Sequence, residues 1–183
     1  MRQTRAAVVW GQMGFVIYYH PDYVCDLYQR GRVHVNRAYL HMVLHCLFCH
    51  MDTRGKREPE LWNLACDIAV ESMLDDMYVK CIRVAPTPFR RDWYGRLHAK
   101  LTVLNAEGVY RVLKEEQLEP RRLERLAAEF LVDDHSFWDL PGGLPVGIHG
   151  KRGGAGRCAG KGAGRPGCPA GRGRTADGSG KPH

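Results

Sequence analysis

The residues best able to do chemistry lie in the run His41-Met-Val-Leu-His-Cys-Leu-Phe-Cys-His50. If this run is helical, His41 and His45 lie four residues apart and project from the same face, about one turn from each other. Two imidazoles at this spacing can coordinate one zinc ion. The pair therefore predicts a metal site whose third ligand has to come from elsewhere in the chain.

Two residues compete for the place of the third ligand. Asp67 follows His45 by 22 residues, on a stretch that predicts a second helix returning antiparallel to the first. A carboxylate there would complete a site of two histidines and one acid with an open position for water. His50 reaches the same ion only if the first helix ends near Cys49, and otherwise its imidazole caps the helix C-terminus, where positive charge is favoured. The sequence leaves both alternatives open.

Other polar residues could support the site from outside. Asn63 and Glu71 share a helix face with the carboxylate of Asp67, because they precede and follow it by four residues. The run Asp133-Asp134-His135, just beyond the last predicted helix, could supply an outer hydrogen bond or a further ligand. We therefore predict Asn63, Asp134 and His135 as residues that surround the ligands.

These residues need a small helical fold to bring them together. Apolar spacing and capping residues predict helices over residues 37–50, 60–77, 105–116 and 121–132. Short strands are predicted at 15–19 and 33–36, with Asn36 as the N-cap of the first helix, while residues 89–104 are ambiguous. This pattern predicts a mainly helical α+β fold with a short strand pair, in which the histidine helix packs on the helix of Asp67.

Charge and glycine content divide the 183-residue chain into a body, residues 1–140, and a tail, residues 141–183. The tail holds 15 of the 21 glycines, 8 of the 27 Lys and Arg residues and one acid, which leaves 19 basic and 19 acidic residues in the body. Because the body has no formal net charge, the overall charge of +7 gives no argument for specific nucleic-acid binding. The tail composition predicts disorder, and its abrupt start indicates a truncated or frameshifted product.

Cellular context also follows from the sequence. No run of 18 apolar residues is present to span a membrane, and the N-terminus lacks the long apolar core of a signal peptide. We therefore expect a cytoplasmic protein. The five cysteines of the body are an odd number, which predicts reduced, mostly buried thiols, and we interpret the pair Cys46 and Cys49 in the same way.

Three separated motifs resemble one protein family. They are the run from Tyr39 to His50, the segment Glu60-Leu-Trp-Asn-Leu-Ala-Cys-Asp-Ile-Ala69, and the segment Val132-Asp-Asp-His-Ser-Phe-Trp138. In this order, over about residues 12–140, they resemble the N-terminal metallopeptidase domain of bacterial VWA-like proteins, which has an HExxH helix followed by a Trp-Asn-x-Ala-x-Asp helix. The resemblance implies a zincin-like α+β fold, zinc as cofactor, a peptide or protein substrate, and a VWA-like domain or protein as partner.

One position departs from the family motif. Met42 stands where HExxH has glutamate, and that glutamate carries a proton from the attacking water to the leaving amine. Methionine can do neither, so a substitute would have to come from Glu71, Asp134 or His135. We therefore expect a zinc-binding metallopeptidase domain whose hydrolytic activity is in doubt. The alternative is a non-catalytic metal-binding scaffold or interaction module of a VWA-like protein.

Overall fold

The computed structural model of the chain describes residues 6–11 and 14–138. All of them belong to the first of the two units into which the chain divides, residues 1–148 and 149–183. The described part is mainly helical and contains one two-stranded antiparallel sheet, which agrees with the predicted α+β class. The tail predicted at residues 141–183 lies outside the described residues.

Within the described residues, two strands are followed by six helices and one 3₁₀ turn. Their bounds are β1 (Ala6–Gly11), β2 (Gly14–Tyr19), α1 (Pro21–Arg30), α2 (Arg32–Leu47), α3 (Pro59–Asp76), α4 (Pro88–His98), α5 (Ala106–Glu116), α6 (Pro120–Phe130) and the 3₁₀ turn (His135–Phe137).

The hairpin of β1 and β2 connects the two ends of the described chain. Ala6 pairs with Tyr19 across the sheet, and the buried side chains of Ala6 and Val8 pack against Met42 of α2. The backbone N–H of Asp134 donates to the carbonyl oxygen of Ala6 at 2.7 Å. The hairpin therefore holds the segment after α6 close to α2.

The beginning of α2 differs from the sequence prediction. The helix starts at Arg32, so the strand predicted at residues 33–36 is wrong, and Asn36 lies inside the helix instead of capping it. A four-residue alternation is too short to distinguish a strand from a helix. The Asn36 side chain instead donates to the carbonyl of Cys81. Gly31, with a φ of 135°, separates α2 from α1, a helix that sequence reasoning missed despite its N-terminal proline.

The other predicted helices are confirmed. α3, α5 and α6 match the predictions within about two residues, and α4 occupies much of the ambiguous stretch 89–104. α3, α4 and α6 each begin with proline, whose fixed φ suits the first helical turn. Asn105 caps α5 by accepting a hydrogen bond from the N–H of Gly108, and Thr87 caps α4 by accepting one from Arg90.

The main hydrophobic core packs α3 against α4, α5 and α6. Trp62 and Ile68 of α3, Val109 of α5, and Leu126 and Phe130 of α6 are completely buried in it. A second, smaller cluster joins α3 to α2. Because α3 is packed on both sides, the polar residues on its α2-facing surface have fixed positions.

Two expectations from the sequence concern cysteines and membranes. The five described cysteines are free, as predicted, but the prediction that they are mostly buried is wrong, since only Cys66 is buried and Cys25, Cys49 and Cys81 are exposed. Cys49 and Cys81 lie in short loops at the surface. The odd number of cysteines indicates reduced thiols, but it carries no information on whether they are buried. No helix in the described part is long and apolar enough to cross a bilayer.

Candidate metal centre

Four side chains from three parts of the chain meet between α2 and α3. His41 and His45 come from α2, Asp67 from α3, and Asp133 from the segment after α6. One ligand atom from each lies within 4.8 Å of the other three. The predicted pair of α2 histidines and the predicted carboxylate of α3 are therefore brought together, and a second carboxylate joins them.

The separations of these atoms suit ligands of a single small ion. The Nε2 atoms of His41 and His45 lie 2.9 Å apart, and Asp67 Oδ1 lies 3.3 and 3.1 Å from them. Asp133 Oδ1 lies 3.4 Å from His41 Nε2 and 4.0 Å from His45 Nε2. Zinc bonds of about 2.0–2.2 Å in a tetrahedron place the ligand atoms about 3.4 Å apart. The donor atoms thus surround a space of the size that such an ion needs.

Burial and hydrogen bonding give an independent test of this fit. The side chains of all four residues are completely buried. Both carboxylate oxygens of Asp67 and both of Asp133 lack a hydrogen-bond partner among the described residues, although imidazole nitrogens lie close to them. Buried carboxylates are normally paired or bound to a metal, because desolvating an unpaired charge is costly. The residues present therefore fit a bound cation.

The charges of the site favour a cation as well. Burial would raise the pKa of Asp67 and of Asp133, but the nearby imidazole of His135 holds both pKa values below their usual range. Burial lowers the pKa of His45, whereas close carboxylates outweigh burial and raise the pKa of His41. The two carboxylates are thus ionised at neutral pH, and a divalent ion that displaces protons from the imidazoles would balance them.

Glu71 contacts the outer nitrogen of His41, that is, Nδ1, which faces away from the other donor atoms. Glu71 Oε1 lies 2.8 Å from His41 Nδ1, and Glu71 Oε2 accepts hydrogen bonds from Arg37, at 2.7 Å, and from Arg90. These cations and the His41 hydrogen bond outweigh the effect of burial and lower the pKa of Glu71 to about 2. The carboxylate therefore keeps the proton of His41 on Nδ1 and leaves Nε2 free to bind a metal.

His50 has the corresponding position beside His45. α2 ends at Leu47, and the backbone N–H of His50 donates to the carbonyl of His45, which brings the buried imidazole back toward the helix. Its Nδ1 lies 3.0 Å from Nδ1 of His45, the ring nitrogen that faces away from the four donors. Burial lowers the pKa of His50 to about 3, so the ring is neutral and can accept the Nδ1 proton of His45. His50 therefore contacts the outer nitrogen of His45 and is not one of the four residues whose donor atoms converge.

The remaining predicted residues lie at different distances from the donors. His135 is buried, and its Nε2 lies 2.7 Å from Asp133 Oδ1 and 3.2 Å from Asp67 Oδ1. Asp134 instead caps the 3₁₀ turn, where its Oδ1 accepts from the N–H of Ser136. Asn63, half-buried on α3, has an Oδ1 without a hydrogen-bond partner among the described residues.

Met42 lies on the side of α2 that packs on the hairpin. Its side chain is 5% exposed and belongs to an apolar cluster with Ala6 and Val8. A carboxylate at this position would be buried among apolar groups. The proton-carrying position that the HExxH comparison expects is therefore occupied by a packing residue.

Sequence reasoning missed two contributors to the site, Arg37 and Arg90, and did not select Asp133 as a ligand. Asp133 belonged to the run predicted to supply a carboxylate, but Asp134 was selected, because the sequence of an irregular segment does not show which side chain faces the donors. Arg37 had a signal in the sequence, since it precedes His41 by four residues on α2. Arg90 had none, because only the packing of α4 brings it to Glu71.

A groove of about 320 Å³ lies on the outer side of this charge network. Its lining includes Arg37, Glu71, Asp75 and Arg90, but none of the four donors. Glu71 thus separates the groove from the donor atoms.

Comparison with known proteins agrees with this geometry. A family model described as "Putative metallopeptidase domain" matches residues 3–182. The chain belongs to this family. The match covers nearly the whole sequence, including all four donors. No curated protein and no solved structure matches the chain significantly.

Proposed function

We propose that this metallopeptidase-family domain binds one divalent metal ion through His41, His45, Asp67 and Asp133. The observation that carries the proposal is the convergence of four buried donor atoms from α2, α3 and the segment after α6. Their carboxylate oxygens have no other hydrogen-bond partner among the described residues. Binding would connect three parts of the chain that are far apart in sequence.

Zinc is the metal we propose for the site. Two imidazoles and two carboxylates are within the ligand preferences of zinc, and separations from 2.9 to 4.0 Å suit an ion without geometric demands of its own. Iron and manganese accept similar ligands in octahedral sites. The zincin-like character of the fold is part of the same proposal, and the His-x-x-x-His helix supports it.

Peptide hydrolysis is the first candidate use of the ion, and family membership supports it. A bound zinc would polarise a peptide carbonyl and activate water. Among this chain's residues, Glu71 and His50 would orient the two histidines. Of the three predicted proton carriers, His135 is the one next to a metal-facing oxygen, since Glu71 contacts the outer nitrogen of His41 and Asp134 caps a turn.

A non-catalytic metal-binding module is the second candidate, and complete burial of the donors favours it. Structural metal sites are closed by protein ligands, whereas catalytic sites keep one position open. Met42 in place of the glutamate supports the same use. As such a module, the domain would serve a VWA-like partner in the cytoplasm of a bacterium.

Metal analysis and a peptidase assay on the same full-length protein test these proposals. We expect about one equivalent of zinc in the wild type, loss of most of it in His45→Ala, and no loss in His98→Ala, which changes an exposed histidine outside the site. Zinc-dependent cleavage of unstructured peptides would establish the hydrolase, and stoichiometric zinc without cleavage would establish the non-catalytic module. A wild type that binds no divalent metal would contradict both.

A further inference from the structure

We infer that His135 is a fifth ligand of the proposed metal ion and fills the position that water or a substrate oxygen would otherwise take. This inference rests on the proposed metal centre. His135 is not one of the four donors described above. Whether it binds the ion decides whether water or a substrate could bind the ion as well.

The contacts of His135 carry the inference. Its Nε2 lies 2.7 and 3.2 Å from the two carboxylate oxygens that face the other histidines. His135 is 5% exposed, and apart from these two oxygens its Nε2 has no polar partner among the described residues. A buried imidazole nitrogen at contact distance from two metal-facing oxygens is placed to share their ion.

The spread of distances also supports five donors. In a tetrahedron with bonds of about 2.1 Å, all ligand atoms are about 3.4 Å apart. With five ligands at the same bond length, some neighbours would lie closer together than this and others farther apart. The site has short separations of 2.7, 2.9 and 3.1 Å, and one long separation, 4.0 Å, between His45 and Asp133. This spread is wider than four tetrahedral ligands would give and agrees with a fifth donor.

The neighbours of His135 fix its position. The Trp138 ring lies over the imidazole with a centroid distance of 3.9 Å, and the same tryptophan contacts the His45 ring. The N-terminal side of the turn is held by the Asp134 side-chain cap and by the hydrogen bond from Asp134 N–H to Ala6. The hairpin and the tryptophan thus keep this imidazole against the donors.

The functional consequence is a closed metal centre. With five protein ligands and buried donor side chains, the ion would have no position for an outside molecule as long as His135 stays bound. Hydrolysis would then require His135 to leave, whereas a structural ion would keep it. The ability of the ion to bind a small anion measures this difference directly.

Cobalt(II) substitution of the full-length protein tests the inference through the visible spectrum, independently of any peptidase activity. We expect the spectrum of the wild type to stay unchanged on addition of azide. In His135→Ala the spectrum should differ from that of the wild type even without azide. Azide should change the spectrum of this variant further, at concentrations at least tenfold below the highest that leaves the wild-type spectrum unchanged. His98→Ala is the matched control and should behave like the wild type.

Three results would overturn the inference. One is an azide-dependent spectrum in the wild type, which decides the question even if the variant fails to fold. Another is a spectrum of His135→Ala identical to that of the wild type. A wild type that binds no cobalt and no zinc would overturn the proposed metal centre together with this inference, so the two failures are distinguishable.

Discussion

At the scale of single residues, the ability of His41 and His45 to bind metal through Nε2 depends on what their Nδ1 atoms contact. Glu71 holds Nδ1 of His41, and His50 holds Nδ1 of His45. Such outer contacts set the tautomer and orientation of a ligand imidazole. Part of the affinity of the proposed site for metal would therefore reside in residues that do not touch the ion.

Glu71→Gln should weaken metal binding about 10- to 100-fold, because the neutral amide no longer favours the Nδ1–H form of His41. Affinity is measured by competition with a chromophoric chelator. Glu129→Gln is the matched control, since Glu129 also accepts from Arg90 but does not contact His41. Equal losses in the two variants would show that Glu71 acts through Arg90 and not through His41.

Met42→Glu should destabilise the domain on the order of 3 kcal/mol, because the new carboxylate would be buried in the apolar cluster of Ala6 and Val8. Met42→Leu keeps the volume and should cost less than about 1.5 kcal/mol. Urea denaturation of both variants gives the comparison. If Met42→Glu were as stable as Met42→Leu, its carboxylate would have found a polar partner, and the packing role of Met42 would be wrong.

At the scale of elements, α3 connects the hydrophobic core to the metal centre. One side of α3 packs on α4, α5 and α6, and the side toward α2 carries Asp67 and Glu71. The position of Asp67 therefore depends on how well the neighbouring helices form. Their end caps are the simplest contributions to test.

Asn105→Ala should cost about 1 kcal/mol of folding free energy, because the first turn of α5 loses the hydrogen bond from Gly108 N–H to the asparagine side chain. Glu115→Ala, an exposed substitution in the same helix, should change stability by less than about 0.5 kcal/mol. The midpoints of urea denaturation measure both. Similar midpoints for the two variants would contradict the capping role.

At the scale of the whole molecule, the metal centre joins regions that the chain itself does not connect closely. α2, α3 and the segment after α6 each supply donors. An ion bound to the folded state but not to the unfolded state stabilises the fold by mass action. The predicted disorder of residues 141–183 stays a prediction of sequence composition.

Removing the metal with a chelator should lower the thermal unfolding midpoint by about 10 °C, as expected when an ion present at about 100 times its Kd contributes about 3 kcal/mol. Scanning calorimetry with and without chelator makes the measurement. The His45→Ala protein should show a low midpoint that the chelator does not change. An unchanged wild-type midpoint would mean that the ion does not stabilise the fold.

The sequence by itself determined the features that depend on local spacing. Helical periodicity placed His41 and His45 on one face of α2, and the same periodicity put Asp67 and Glu71 on one face of α3. The pattern of apolar residues also gave the class of the fold and most of the helices, because burying an apolar stripe constrains a helix strongly. The two helices of the site could thus be predicted before their packing was known.

Tertiary structure decided the features that depend on irregular backbone and on contacts distant in sequence. The segment after α6 has no periodicity, so the sequence could not show that Asp133 and His135 face the donors while Asp134 caps a turn and donates its N–H to β1. The contact of Arg90 with Glu71 likewise depends on where α4 packs. His50 lies beside His45 because the chain turns back after α2, and that turn placed its ring against Nδ1 instead of among the metal-facing atoms.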